Sequence, residues 1–523
     1  MNMMDSETRV SVVLHFNTQQ AQDHRFERTL KSVLNQGIQP AEIIVLNQTE
    51  NITLPIQATN VPVKIIGGNY QTEGAYLNAA MAVAEGDFIL YIDNQLNEVH
   101  LKRGYLAAAL LMTEKYPLLG LFYSDYDLID GTQVKEVRLL KHHHGRLRDN
   151  QDYGKVFFIS RAALKAVGGC DQKLKYKCLY DLRLRLSEKY ELQHVANKSG
   201  GSLYEVVAGE QKHNVFDYLL VNKESQREAE EVLTNHLKRI GAYLKPGMGY
   251  RKRPGLNQSY DYIASIIIPV NRRPEFIQTA LESVFAQTVQ DIEVIVVVNG
   301  GEDDPTIGEV QRYLPGGDLY QSDKPPVRLI VTDINNIGFS LNLGVKKARG
   351  RYYVQLDSDD RLKPDAVEKI LAVFDSDEYI GTVIGSYEVW EKKADGSLVR
   401  MEAIPVVTHD EWTDENGRNN LLHINGAGAP RAIPIRIIKE MGYFGINDEP
   451  YARNYGEDYD LILKISEKYR IGRVWTPIYE VVRHSGGTDH SIDQATIDRN
   501  DEAKDYMRLL AVQRRILLNQ TKA

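Results

Sequence analysis

The residues of this chain with the clearest capacity for chemistry are Leu356-Asp357-Ser358-Asp359-Asp360. Three carboxylates so close together repel one another, and a hard divalent cation such as Mg²⁺ or Mn²⁺, shared with a diphosphate, is the usual remedy. Acidic runs also cap helices and build turns. Position separates the two readings. The carboxylates follow YYVQL directly, a short apolar segment that reads as a strand. In an open parallel sheet, ligands sit outside the carboxyl ends of the strands, so the run stands on the ligand rim.

The elements that must position this run occur twice. Residues 74–93, GAYLNAAMAVAEGDFILYID, align with 338–357, GFSLNLGVKKARGRYYVQLD, at one constant offset. Gly74, Asn78, Gly86 and Asp93 fall on Gly338, Asn342, Gly350 and Asp357. Upstream, SVVLHFN from Ser11 matches SIIIPVN from Ser265; downstream, YDLRLRLSEKYELQHV from Tyr180 matches YDLILKISEKYRIGRV from Tyr459, and YEVV recurs at Tyr204 and Tyr479. Four matches in one order imply a duplicated domain. Each copy opens with a β-branched apolar run, Val10 to Leu14 or Ile263 to Val270, that reads as a strand buried on both faces. An amphipathic stretch and a second strand follow, AEIIVLN or IEVIVVVN. This is β-α-β, the unit of a parallel sheet.

Between the copies, NKESQREAEEVLTNHLKRIGAYL reads as a charged helix and KPGMGYRKRPGLNQS as a Pro/Gly/Arg connector. The expected division is a first domain over 1–214, a helical linker over 215–260, a second domain over 261–494 and a C-terminal helix over 495–523. That last helix, DEAKDYMRLLAVQRRILLNQ, is expected to dock on its own domain; a partner helix, a second copy or an anionic membrane surface is its alternative use. With 63 basic and 71 acidic side chains the net charge is −8, which excludes the overall attraction a nucleic-acid binder carries. Two cysteines, Cys170 and Cys178, cannot form a disulfide framework, and no apolar run approaches the length of a membrane span. A cytoplasmic protein, at most peripheral to the inner membrane face, is expected.

The run GFSLNLGVKKARGRYYVQLDSDD, with the opening IIIPVNRRPEF, the helix containing ESVFAQT and the later YGEDYDLILKISE, resembles inverting family 2 glycosyltransferases of the GT-A fold. The resemblance covers nearly all of residues 262–490. It implies an α/β fold of two tandem GT-A-like domains, Rossmann-like with mostly parallel sheets, joined by a helical linker and followed by a C-terminal helix. It places Asp357 and Asp359 on the ribose and on a metal-bound diphosphate, with Asp360 beside them, and makes Asp357, Asp359 and His484 the ligands of Mn²⁺ or Mg²⁺. Glu457-Asp458 matches the family's Glu-Asp pair, whose aspartate deprotonates the acceptor hydroxyl; an alcohol needs such a base to attack at neutral pH. Pro269, Asn271 and Asn299 would contact the donor. Asn299 stands where the family commonly has an aspartate reading the nucleobase; UDP-sugar remains the first choice, and Asp303 or Asp304 is the substitute reader. Asn425, Gly426 and Ala427, in NGAGAPRA, lie where the family places an acceptor loop.

The first copy lacks this chemistry. Asp357-Ser358-Asp359 becomes Asp93-Asn94-Gln95, Glu457-Asp458 becomes Cys178-Leu179, and His484 falls on Gly209. That copy is expected to be inactive, serving as scaffold, acceptor site or oligomerisation surface. The segment YSDYD from Tyr123 and the linker HLKRIGAYLKPG resemble tandem bacterial transferases of O-antigen and other surface glycans, implying a glycan or lipid-linked glycan acceptor. His142-His143-His144 cannot all face one ion on a regular element and reads as a polar loop. A glycan-binding scaffold and a sugar nucleotidyltransferase are the competing functions.

Overall fold

Val12, Val13 and Leu14 in the first copy, and Ile266, Ile267 and Ile268 in the second, have no exposed surface. Each trio lies in the strand that opens its copy, Val10–Phe16 and Tyr262–Val270, with sheet neighbours on both sides. The computed structural model describes residues 8–49, 59–68, 70–197, 201–207, 223–409, 417–424, 428–446, 455–484 and 493–521. Two units result: residues 1–217 with 221–236, and residues 218–220 with 237–523.

In the first unit the sheet order is Glu191–Val195, Leu119–Ser124, Val156–Ser160, Phe88–Ile92, Val10–Phe16, Glu42–Asn47 and Val63–Gly67. Only Val156–Ser160 runs antiparallel to its neighbours. In the second, Arg470–Arg483, Ile380–Lys392, Arg431–Pro434, Gly350–Gln355, Tyr262–Val270, Ile292–Val298 and Val327–Val331 follow the same order, and Arg431–Pro434 is again the antiparallel insertion. A smaller four-stranded sheet in the first unit, Glu98–Leu101, Tyr204–Val207, Tyr126–Asp130 and Gln133–Val137, has its counterpart in the second. There the two long strands run on to pair with Arg361–Leu362 and Leu398–Arg400. The expected α/β class, two tandem units with mostly parallel sheets, is the one observed.

Buried polar brackets recur as well. Ser11 Oγ donates to Glu42 at 2.6 Å and Ser265 Oγ to Glu293 at 2.7 Å, joining the first two strands of each unit. Gln36 and Gln287 each donate to two carbonyls and accept a helical N–H, from Leu106 and Val367 respectively. Such fully used side chains fix how a helix meets the sheet. Gly338, in the helix Ile337–Lys347, shows why the repeated glycine is needed: a Cβ there would meet the Gly445 carbonyl oxygen at 2.1 Å.

The charged helix spans Lys223–Arg239. Its Glu228 accepts the Lys175 and Tyr176 amides, and His236 bonds Glu188, all within the first unit. The connector beyond it is built into the second unit: Leu244 and Asn419 exchange two hydrogen bonds, and the Arg253 amide donates to the Glu378 carbonyl. The C-terminal helix, Gln494–Gln520, docks on its own unit as expected. Ala503, Met507, Ala511 and Val512 are buried with Arg508 and Arg515, whose guanidiniums bond Tyr459, the Ile424 carbonyl and the Arg418 carbonyl. Among the described residues no helix is long and apolar enough to cross a membrane.

Candidate active site

Strand register assembles the acidic rim. After Gly350–Gln355 the chain turns through Asp357–Asp360, and Leu362 then pairs antiparallel with Tyr479. The acidic turn is thereby laid beside the end of Arg470–Arg483, where His484 follows. The Asp357 amide donates to the Tyr479 hydroxyl at 3.0 Å, and Asp360 accepts the Val482 amide at 2.8 Å. Burial, reinforced by the neighbouring carboxylates, lifts both Asp357 and Asp360 above the ordinary carboxylate range. Asp359 Oδ2 receives His484 Nε2 at 3.0 Å and the guanidinium of Arg273, the residue just before the helix Pro274–Phe285. The ring of Phe276, from that helix's first turn, lies 4.3 Å from the His484 ring.

The second carboxylate pair opens the helix Glu457–Ser466, reached through Gly456 at φ 82°, a left-handed conformation suited to glycine. Burial, then the charge of Asp458, pushes the Glu457 carboxyl up to about 8. Burial acts on Asp458 too, but Arg431 and then Lys504 outweigh it and hold Asp458 below its ordinary value. Arg431 Nη2 is 2.8 Å from Asp458; its other nitrogens bond Gln355 and the Gly428 carbonyl, both at 3.0 Å. Gln355 donates to Asp357 at 3.0 Å, so one chain of contacts joins the acidic rim to the Glu-Asp pair.

These groups share one cavity of about 580 Å³. Pro269, Asn271, Asn299, Asp357, Asp359 and Asp360 line it, as do Glu457, Asp458 and His484. Asn425, Gly426 and Ala427 lie outside the described residues, although Gly428 and Ala429 beside them line the cavity. Asn299 is committed internally: its carbonyl accepts from Asn271 at 2.9 Å and its amide donates to Ser340 at 3.0 Å. Asp304 is buried and accepts the Arg272 and Thr306 amides, whereas Asp303 is exposed and pairs with the Arg272 side chain. Sequence reasoning missed Arg273, Arg431 and Lys504, which also line the cavity. Lys504 comes from the C-terminal helix, and its ammonium sits 3.0 Å from the Tyr455 hydroxyl. The only sequence signal for Arg431 was its place at the end of NGAGAPRA.

Asp359 and His484 offer a hard carboxylate and an imidazole at bonding distance, with Asp357 on the same turn. Among the described residues no three His, Cys, Asp or Glu side chains form a ready-made metal cage. Mg²⁺ is commonly held by one or two carboxylates and completed by substrate phosphates, and this donor set fits such a site.

At the corresponding rim of the first unit several side chains bond one another. Lys155 lies 3.3 Å from Asp93. His15, at the position of Pro269, bonds the Tyr91 hydroxyl at 3.0 Å, and Tyr91 donates to Glu73 at 2.8 Å. Burial pushes His15 down to about 4, so it is neutral at pH 7. Cys178 opens the helix Cys178–Ser187 where Glu457 opens its counterpart, and its thiol, like that of Cys170, is buried and free. Gly209 lies outside the described residues. His142 is half-buried against Tyr153, with 2.7 Å between Nδ1 and the hydroxyl.

Residues 265–423 match the family model described as Glycosyl transferase family 2. This segment is similar to family 2 glycosyltransferase domains. It carries the acidic rim, while Arg431, Glu457-Asp458, His484 and Lys504 lie beyond it in the same unit. The chain is 30% identical over 242 residues to the chondroitin synthase of Pasteurella multocida, covering 46% of this chain and 23% of that one. It is 30% identical over 216 residues to an uncharacterized glycosyltransferase of Rickettsia bellii, covering 41% of this chain and 28% of the relative. The chain thus spans about a third or less of the length of these relatives. Among solved structures, S. aureus TarS 1-349 in complex with UDP-GlcNAc is 17% identical with a TM-score of 0.36, covering 49% of this chain and 66% of that one. That likeness is too distant to bear on what binds in this cavity.

Proposed function

We propose that this protein is an inverting, divalent-metal-dependent glycosyltransferase. It moves a sugar from a nucleotide sugar, a UDP-sugar by preference, to a hydroxyl of a glycan or lipid-linked glycan in bacterial surface-polysaccharide synthesis, in the cytoplasm. The observation that supports this most strongly is the split Glu457–Asp458 pair. Two adjacent carboxylates facing one cavity are driven to opposite protonation states, which is how a fold provides a base at pH 7. Asp458, ionised and opening to the cavity, takes the proton of the attacking hydroxyl. Glu457, protonated, adds no second charge that would repel the acidic rim. Asp359 and His484 would hold a Mn²⁺ or Mg²⁺ ion, which offsets charge on the leaving nucleoside diphosphate as a Lewis acid. Asp357 and Asn271 would orient the donor. One base and one displacement give inversion, without the paired acid and nucleophile of a retaining hydrolase.

The first unit serves as scaffold in this reading, because Lys155 and His15 occupy the rim that a donor would need. The test is transfer from a panel of nucleotide sugars with Mn²⁺ by the wild type, Asp359→Ala and Asp458→Asn. Metal-dependent release of nucleoside diphosphate, lost in both folded variants, is expected. Undiminished turnover in both variants removes the assigned roles; release of pyrophosphate indicates a nucleotidyltransferase, and metal-dependent binding without turnover a glycan-assembly scaffold.

A further inference from the structure

The oxygen of Asp359 that would serve a metal already carries a cation. Asp359 Oδ2 receives the Arg273 guanidinium as well as His484 Nε2. A metal ion and a guanidinium compete for that oxygen, since both are positive and both draw on its lone pairs. The two arginines of the cavity also differ in how they are held. Arg431 is tethered three ways, to Asp458, Gln355 and the Gly428 carbonyl. Arg273 has one polar side-chain partner among the described residues, Asp359. Its backbone is anchored, because its amide donates to Thr306 Oγ1 at 2.9 Å, so the side chain can swing without disturbing the helix that follows. A guanidinium carries five N–H donors in a planar fork suited to phosphate oxygens, and four of these are not engaged by Asp359.

We propose that Arg273 is a positioning residue that holds the cation place on Asp359 until a diphosphate draws its guanidinium away, so that divalent metal enters together with the nucleotide. This rests on the metal-dependent reading above. Without nucleotide, Arg273 neutralises Asp359 and competes with the ion. With nucleotide, the fork turns onto the diphosphate, Asp359 is released, and the same phosphates complete the metal's coordination. Metal and nucleotide are therefore coupled, and by linkage each raises the other's affinity by the same factor.

The experiment measures Mn²⁺ binding by the electron paramagnetic resonance signal of the free ion. It uses the full-length wild type, Arg273→Met, Arg273→Gln and Arg273→Lys, each with Mn²⁺ alone and with UDP, GDP or dTDP; thermal melts verify the fold. In the wild type, Mn²⁺ alone should bind weakly and the preferred nucleotide should tighten it about tenfold or more, a common size for such coupling. In Arg273→Met and Arg273→Gln, Mn²⁺ alone should bind about tenfold tighter than to the wild type, with most of the coupling lost. Arg273→Lys should stay closer to the wild type. If neither neutral variant binds Mn²⁺ alone more tightly, while the wild type binds it with nucleotide, the role of Arg273 is overturned and the transferase reading survives. If no protein binds Mn²⁺ with any nucleotide, the metal-dependent reading fails and the proposal with it.

Discussion

Replacing Arg431 by Gln tests the electrostatic logic of the site most directly. Arg431 and Asp458 are 2.8 Å apart. At an effective dielectric of about 20, Coulomb's law gives about 6 kcal/mol of attraction at such a separation. Burial of the two charges offsets part of this, and carboxylates beside an arginine shift by roughly 1–3 pKa units, or about 1.4–4 kcal/mol. The expected outcome is therefore an acid limb of kcat/KM displaced upward by roughly 1–3 units, since a base loses activity as pH falls through its pKa. The assay is the initial rate of nucleoside diphosphate release from about pH 3 to 9, with Arg431→Lys as the charge-keeping control. Because the pair titrates jointly, the displaced limb belongs to Glu457 and Asp458 together. Acid limbs that superimpose, with the rate lowered equally at every pH, would refute this reasoning and leave Arg431 as a binding residue only.

Three further expectations follow from the same geometry. Glu457→Gln should raise the melting temperature at pH 8 and leave it nearly unchanged near pH 4. The folded state keeps the Glu457 proton up to about 8 whereas the unfolded chain releases it near 4.5, so the wild type loses stability across that window, by at most about 5 kcal/mol. Lys504→Met should shift the acid limb in the same direction as Arg431→Gln but by less than about one unit, since Lys504 acts on Asp458 less strongly than Arg431 does; an unmoved limb in the pH profile would remove Lys504 from the site's electrostatics. Asp93→Ala should leave the transfer rate within about twofold of the wild type, and a loss comparable to Asp359→Ala in protein of equal melting temperature would restore a catalytic role to the first unit.

What was legible in the sequence was what lies contiguously or repeats. Asp357, Asp359 and Asp360 stand out because they end a strand whose carboxyl end must face the ligand, and the repeat made the sheet order a question asked once and answered twice. His484 was reachable only by resemblance, since its partner Asp359 is brought to it by the pairing of Leu362 with Tyr479. Arg431 and Lys504 were not legible. Arg431 sits on an antiparallel strand inserted between two others, and no local pattern tells which carboxylate it will meet. In the C-terminal helix the buried face carries Lys504, Asp505, Arg508 and Arg515 alongside alanines and Met507, so apolar periodicity understates what that face does. Asn299 teaches the converse: its side chain is well placed at the rim, yet Asn271 and Ser340 already bond both its carbonyl and its amide.

The paired brackets, Ser11–Glu42 with Gln36 and Ser265–Glu293 with Gln287, bear on how such a protein can change. They hold two sheets of one order, one with a complete acidic rim and one without, so the parts that shape the sheet are separable from the parts that react. Installing Asp at Gln95 and Glu-Asp at Cys178-Leu179, and removing Lys155 and the His15 ring, would leave every bracket in place.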